Sequence, residues 1–228
     1  MIEVCDLRKS YEHKKILEHM TIKLENSNIY ALVGKNGVGK TTLLTCLIDA
    51  SFRDKGDVKI DGISNHLMSA KENLFYVPDQ KDMFLHLTGE EYLRFIVEIY
   101  HQRELDEQLG ILVDKLHMQE CLHTCIAEYS LGMKQKLYMM AAFLSGADNL
   151  IFDEPFNGLD PESVFVIKDL MKRYRDSGKM ILFSVHNLDL VSNFSDTIIF
   201  LDKHREIFMV ENTNDIQKLE FLFFEKCV

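Results

Sequence analysis

The first third of the chain carries the hydrophobic rhythm of strands. "MTIKLE" (20–25) alternates apolar and polar positions, which predicts a half-buried strand. "NIYALVG" (28–34) is a continuous apolar run ending in glycine, the pattern of a strand covered on both faces. "GDVKIDG" (56–62) and "NLFYVPD" (73–79) predict two further short strands, the second stopped by Pro78. At Thr88 the period lengthens. "TGEE" (88–91) has the form of a capping box, and "YLRFIVEIY" (92–100) follows with helical spacing. "ELDEQLGILVDKLHM" (104–118) predicts a second amphipathic helix, and the stretch after Ser130 a third. Strands and helices then alternate. "NLIFDEP" (149–155), "MILFSVH" (180–186) and "DTIIFLD" (196–202) predict buried strands. Between the first two lies a helix over 161–178, with Pro161 in its first turn and Gly178 at its end.

Buried strands alternating with helices predict an α/β fold, a mostly parallel sheet covered by helices. Residues 82–146 read as a helical insertion into a core built from 1–81 and 147–228, all within one domain over 1–228. The chain has 228 residues, 46% of them apolar, ample for a real core. Its net charge of -10 makes it a poor candidate for a nucleic-acid backbone, and none is expected as a partner. The five cysteines are odd in number and scattered, as free thiols in a reducing cytosol are. The start does not read as a signal peptide. No stretch approaches the ~20 apolar residues of a membrane helix, so work at a membrane requires a partner.

The strongest chemical signal is "GKNGVGKT" (34–41), which fits G-x-x-x-x-G-K-[ST] between a predicted strand and a predicted helix. Glycines let the backbone curl so that its N–H groups form an anion nest at a helix N-terminus. Lys40 then reaches the outer phosphates of a nucleotide, and the Thr41 hydroxyl ligates Mg²⁺. In "LIFDEP" (150–155) a buried strand ends in two carboxylates. Asp153 suits a magnesium shell, and Glu154 suits a general base acting on water. The plainer alternative, a solvated acidic turn, loses weight beside a P-loop in the same chain. His186 ends the apolar run of "SVHN". It is either an ordinary surface histidine or, if its strand neighbours the P-loop strand, within reach of a γ-phosphate.

In "YSLGMKQK" (129–136), Ser130 reads as a helix cap with Gly132 in the first turn. No acid, base or nucleophile accompanies them. The segment reads as a bare helix end able to hold an anion.

Together, and in this order, these motifs resemble the ATP-binding subunits of ABC transporters over nearly the whole chain. "GKNGVGKTT" looks like their Walker A, with Gly34, Asn36, Gly37, Gly39, Lys40, Thr41 and Thr42 at the nucleotide. "IFDEP" resembles Walker B with its catalytic glutamate, "NGLD" (157–160) the D-loop ending in Asp160, and His186 the switch histidine. "YSLGMKQK" is similar to the family signature, and Tyr11 occupies the place of the aromatic that stacks on adenine. An ordinary strand tyrosine is the alternative for Tyr11. The resemblance implies a P-loop NTPase (RecA-like) core with an N-terminal antiparallel β subdomain and an inserted α-helical subdomain. It implies ATP and Mg²⁺ as cofactors, hydrolysis by Glu154, His186 and Lys40, and a head-to-tail dimer, by default homomeric. In that dimer Ser130 and Gly132 cover ATP bound by the partner. It also implies a membrane-spanning permease, with this chain on the inner face of the membrane. The docking surface expected from the sequence is the loop after Asp79 plus the helical insertion, where "MFLHL" (83–87) offers apolar side chains to a partner's helix.

Two positions depart from the pattern. Leu131 replaces the first glycine of the signature, and Asp79, with Gln80 one later, stands where glutamine usually follows the proline. Either Asp79 or Gln80 would sense the metal. Both departures resemble a branch of small exporters of drugs and antimicrobial peptides, as do "LHLTGEEYLRF" and "KLEFLFF". Two rival classes are a soluble ATPase in cofactor or complex assembly and, ranked last on charge, a nucleic-acid-associated ATPase. The spacing of His117, Cys121 and Cys125 in "HMQECLHTC", with His123 nearby, admits a zinc site. The simpler reading is one helix face with two half-buried thiols.

Overall fold

The computed structural model describes residues 1–12, 14–80, 82–102, 105–202 and 206–227. Two sheets carry the fold. A four-stranded antiparallel sheet has the order β2-β1-β4-β5, from β1 (Ile2–Tyr11), β2 (Lys14–Leu24), β4 (Lys55–Ile60) and β5 (Ile63–Ser64). A six-stranded sheet has the order β10-β9-β3-β8-β7-β6. Its strands are β3 (Ile29–Val33), β6 (Leu74–Val77), β7 (Asn149–Phe152), β8 (Met180–Val185), β9 (Thr197–Leu201) and β10 (Ile207–Glu211). All pairings in it are parallel except that of β10 with β9.

The continuous apolar runs are explained by burial on both faces. Ile29, Ala31 and Val33 of β3 join one core, and Tyr30 and Leu32 the other. The same alternation divides β8, with Ile181, Phe183 and Val185 on one side and Met180 and Leu182 on the other. Helix α1 (Lys40–Ile48) buries Leu43, Leu44, Cys46 and Leu47 in the second core, with β1, β2 and β4 of the antiparallel sheet. The short α2 (Met68–Lys71) precedes β6.

Between β6 and β7 the chain forms α3 (Gly89–Ile99), α4 (Leu105–Leu116) and α5 (Leu131–Ser145). The predicted capping box is present: the Thr88 hydroxyl accepts from the Glu91 amide, and the Glu91 carboxylate accepts from the Thr88 amide. Ser130 caps α5, its hydroxyl accepting from the Met133 N–H at 3.2 Å, so this helix end is not bare. Helix α6 (Pro161–Asp176) starts at Pro161 as predicted, capped by Asp160.

β1, β5, α2, β10 and the last helix, α7 (Ile216–Cys227), lie outside the elements expected from the sequence pattern. That pattern also extends helix through "HMQECLHTC". His117 takes a left-handed φ of 55° that closes α4, and residues 119–123 follow as turns. There is no common helix face, and the candidate zinc residues part. His117 pairs with Glu162, His123 pairs with Glu90, and the Cys121 thiol donates to the Met118 carbonyl. Among the described residues no group of three His, Cys, Asp or Glu side chains could hold a metal ion. In "MFLHL", Met83 is exposed, whereas Phe84, Leu85 and Leu87 pack partly against the core. The carbonyls of Leu85 and Leu87 are taken by the amides of Ala127 and Ile126. No helix among the described residues is long and apolar enough to cross a membrane.

Candidate nucleotide site

In a parallel sheet, ligands gather outside the carboxyl ends of the strands. Here β3, β8, β7 and β6 are consecutive neighbours, and the P-loop, His186, the Asp153–Glu154 pair and Asp79 leave from those ends. A cavity of about 520 Å³ opens there. Of the residues singled out from the sequence, Tyr11, Asn36, Gly37, Gly39, Lys40, Thr41, Thr42, Asp79, Glu154 and His186 line it. Asn157, the first residue of "NGLD", lines it as well, as does Ile16, which the motifs do not include.

The P-loop geometry follows from its glycines. Gly37 and Gly39 have φ of 76° and 122°, which favour a residue without a β-carbon. A β-carbon on Gly34 would lie 2.8 Å from the Leu201 carbonyl oxygen. Gly39 precedes α1 and supplies no side-chain cap, so the first amides of that helix lack a side-chain partner. Lys40 is 7% exposed and its Nζ donates to the Gly34 carbonyl at 2.8 Å. It lies 3.7 Å from the Glu154 carboxylate. Burial pushes the Lys40 ammonium below its ordinary pKa, against the pull of Glu154 and Asp153.

Thr41 and Asp153 meet directly, the Thr41 hydroxyl donating to the Asp153 carboxylate at 2.7 Å. Asp153 is 1% exposed and takes a second bond from the Ser184 hydroxyl of β8. Ser184 in turn accepts the Glu154 amide at 2.9 Å. Glu154 has a left-handed φ of 50°, uncommon for a side chain of this size. Its carboxylate approaches His186 Nδ1 at 3.1 Å. The chain therefore brings an ammonium, two carboxylates, an imidazole and a helix N-terminus to one opening.

Tyr11 sits at the rim, 45% exposed, with its ring edge-on to Phe52 and the Lys9 ammonium 5.3 Å from its centroid. Of the two candidates beyond Pro78, Asp79 lines the cavity and Gln80 does not. Ser130, Gly132 and Asp160 are also outside the lining. Gly132 and Asp160 belong instead to the contact between α5 and the loop that follows Glu154, and Ser130 caps α5. A β-carbon on Gly132 would stand 2.7 Å from the Gly158 carbonyl oxygen, and Lys136 pairs with Asp160 at 3.3 Å. Ser184, like Ile16, is not among the site residues expected from the sequence. It was visible only as one polar position inside an apolar strand.

The family profile described as ABC transporter matches residues 17–157. The chain is 31% identical to the ABC transporter ATP-binding protein AlbC of Bacillus subtilis, over 99% of this chain and 97% of that one. It is 29% identical to the SkfA peptide export ATP-binding protein SkfE of Bacillus subtilis, over 88% and 85%. Among solved structures, an ATP-binding subunit of an ABC transporter superposes with a TM-score of 0.90 at 28% identity, covering 99% of this chain and 98% of that one. An ATP-binding cassette solved as a dimer in a post-hydrolysis state, with ADP and Pi, shares the fold at 18% identity, with a TM-score of 0.82 over 92% of this chain and 98% of that one. Profile match and full-length similarity agree with the geometry of the cavity: the chain belongs to the ABC transporter family, as an ATP-binding subunit that hydrolyses ATP.

Proposed function

We propose that this chain is the ATP-driven motor of an exporter, acting as a pair of copies beneath a membrane-spanning partner at the inner face of the membrane. The observation that carries this reading is the convergence of Lys40, Thr41 and the Glu154–His186 pair on one cavity, with the buried Asp153 carboxylate bonded to Thr41. The phosphates of ATP bind the open N-terminus of α1, and the Lys40 ammonium turns from the Gly34 carbonyl to their outer oxygens. The adenine stacks on the exposed face of Tyr11.

The Thr41 hydroxyl and the Asp153 carboxylate fit Mg²⁺: both are hard oxygen donors, adjacent, with Asp79 across the same cavity. When bound, Mg²⁺ supplies charge neutralisation at the β- and γ-phosphate oxygens. Glu154 accepts the proton of the attacking water, and His186 orients that carboxylate and meets the γ-phosphate. Ser130 and Gly132 present the N-terminus of α5 to ATP held by the second copy, and Asp160 couples the two sites. Closure of the pair on ATP, and release after hydrolysis, drives the permease, with residues 82–146 as the unit that moves against it. The similarity to SkfE, named for peptide export, supports a peptide or another amphipathic compound as cargo.

The test is capture of tagged Glu154→Gln protein from detergent-solubilised source cells with ATP and Mg²⁺. Recovery of a stoichiometric multi-span membrane protein is expected. Recovery of soluble assembly factors alone would replace the exporter by an assembly ATPase.

A further inference from the structure

The first two turns of α5 hold the loop that carries Glu154 at three points. Leu131, where the signature usually has glycine, lies over Gly158: a β-carbon on Gly158 would come 2.9 Å from Leu131 Cδ2. Gly158 has a φ of 75°, so the loop turns sharply beneath the leucine. One turn along, Gln135 is fully buried, and its Nε2 donates to the carbonyl of Pro155, the residue after Glu154, at 2.7 Å. Its Oε1 has no hydrogen-bond partner among the described residues, so the buried amide is bonded at its nitrogen, to this loop. Lys136 then pairs with Asp160 at the loop's far end.

We propose that Leu131 is a positioning residue for Glu154: its side chain, with the Gln135–Pro155 bond, clamps the 154–160 loop to the signature helix of the same chain. The nucleotide site needs such a clamp, because Glu154 leaves β7 with a left-handed φ of 50° that its neighbours must maintain. The leucine replaces the conformational freedom of a glycine with a side-chain contact. The start of α5, which faces the second copy, and the Glu154 loop of its own chain then move as one body. This rests on the reading of Glu154 as the base.

Leu131→Ala removes the contact while keeping a good helix former at the start of α5. Gln135→Leu removes the second tether at a buried position outside the cavity lining. The experiment is hydrogen exchange by mass spectrometry on the full chain, with kcat and KM for ATP on the same preparations. Each variant is expected to speed exchange across 154–160, with exchange inside α6 unchanged. Each should lower kcat about tenfold, with KM held within about twofold. Leu131→Met should restore both protection and turnover. Unchanged exchange across 154–160 in Leu131→Ala would overturn the clamp, as would faster exchange with kcat retained. Failure of the underlying reading is seen separately: a Glu154→Gln variant with normal kcat removes the base assignment whatever the exchange pattern.

Discussion

The Ser184 hydroxyl donates to the buried Asp153 carboxylate and so joins neighbouring strands β8 and β7 under the nucleotide cavity. The same oxygen accepts the Glu154 amide, which makes Ser184 the common support of both carboxylates. Ser184→Ala leaves a buried carboxylate one donor short and a loop amide without its acceptor. The expected cost is about 1–3 kcal/mol of stability, together with slower hydrolysis. A urea titration with a parallel ATPase assay checks it. A variant with unchanged midpoint and turnover would show that Ser184 is dispensable.

Lys40→Ala should abolish ATP binding. The ammonium is buried and held by the Gly34 carbonyl at the cavity, where the proposed function places the phosphate oxygens. Isothermal titration calorimetry reads the outcome. Tight binding retained by the variant would remove the phosphate role from this loop.

Ser130→Arg should separate the two halves of the composite site. Ser130 is outside the cavity lining, so ATP affinity of the single chain should match wild type. Hydrolysis should fall by about 10²–10³-fold, the usual loss when one donor to a developing anion is removed. Weaker binding of ATP to the single chain would instead put Ser130 in the site of its own chain.

Asp160 gives a pH-dependent prediction. The Ser163 amide and hydroxyl, then Lys136, hold its carboxyl well below the usual carboxylate range. Its folded pKa is depressed, so the stabilisation is complete above the unfolded value of about 3.9 and is lost as pH falls toward the folded one. Asp160→Ala should cost about 1 kcal/mol at neutral pH through loss of the α6 cap. The gap between the two proteins should narrow as pH falls below about 5 and keep narrowing toward the folded pKa. Denaturant titrations across that range check both; a gap independent of pH would contradict the assignment.

Much of this arrangement was legible in the chain. Apolar runs such as "NIYALVG" mark strands buried on two faces, and the Thr88–Glu91 box and Pro161 mark helix starts by local chemistry. The P-loop reads clearly because its glycines meet backbone limits that other residues cannot. What escaped depends on contacts distant in sequence. Ser184 gains meaning only beside Asp153, 31 positions away. The end of α4 carries no glycine: His117 adopts the left-handed turn itself, so helical spacing continues in the sequence where the helix stops. The clustering of Gly132, Leu131 and Gln135 on the Glu154 loop is likewise a tertiary fact. Gly132 reads as an anion-site glycine, yet the structure shows a second demand on it, the Gly158 carbonyl packed against its α-carbon.

The central claim is that ATP holds two copies together until Glu154 hydrolyses it. Glu154→Gln should keep ATP binding and slow turnover by about 10²–10⁴-fold. Light scattering on this variant after gel filtration, with ATP and Mg²⁺, tests the claim most directly. A stable species of twice the chain mass, reverting to single chains when ADP replaces ATP, is expected. A single-chain mass under saturating ATP, or normal hydrolysis by the variant, would contradict the claim.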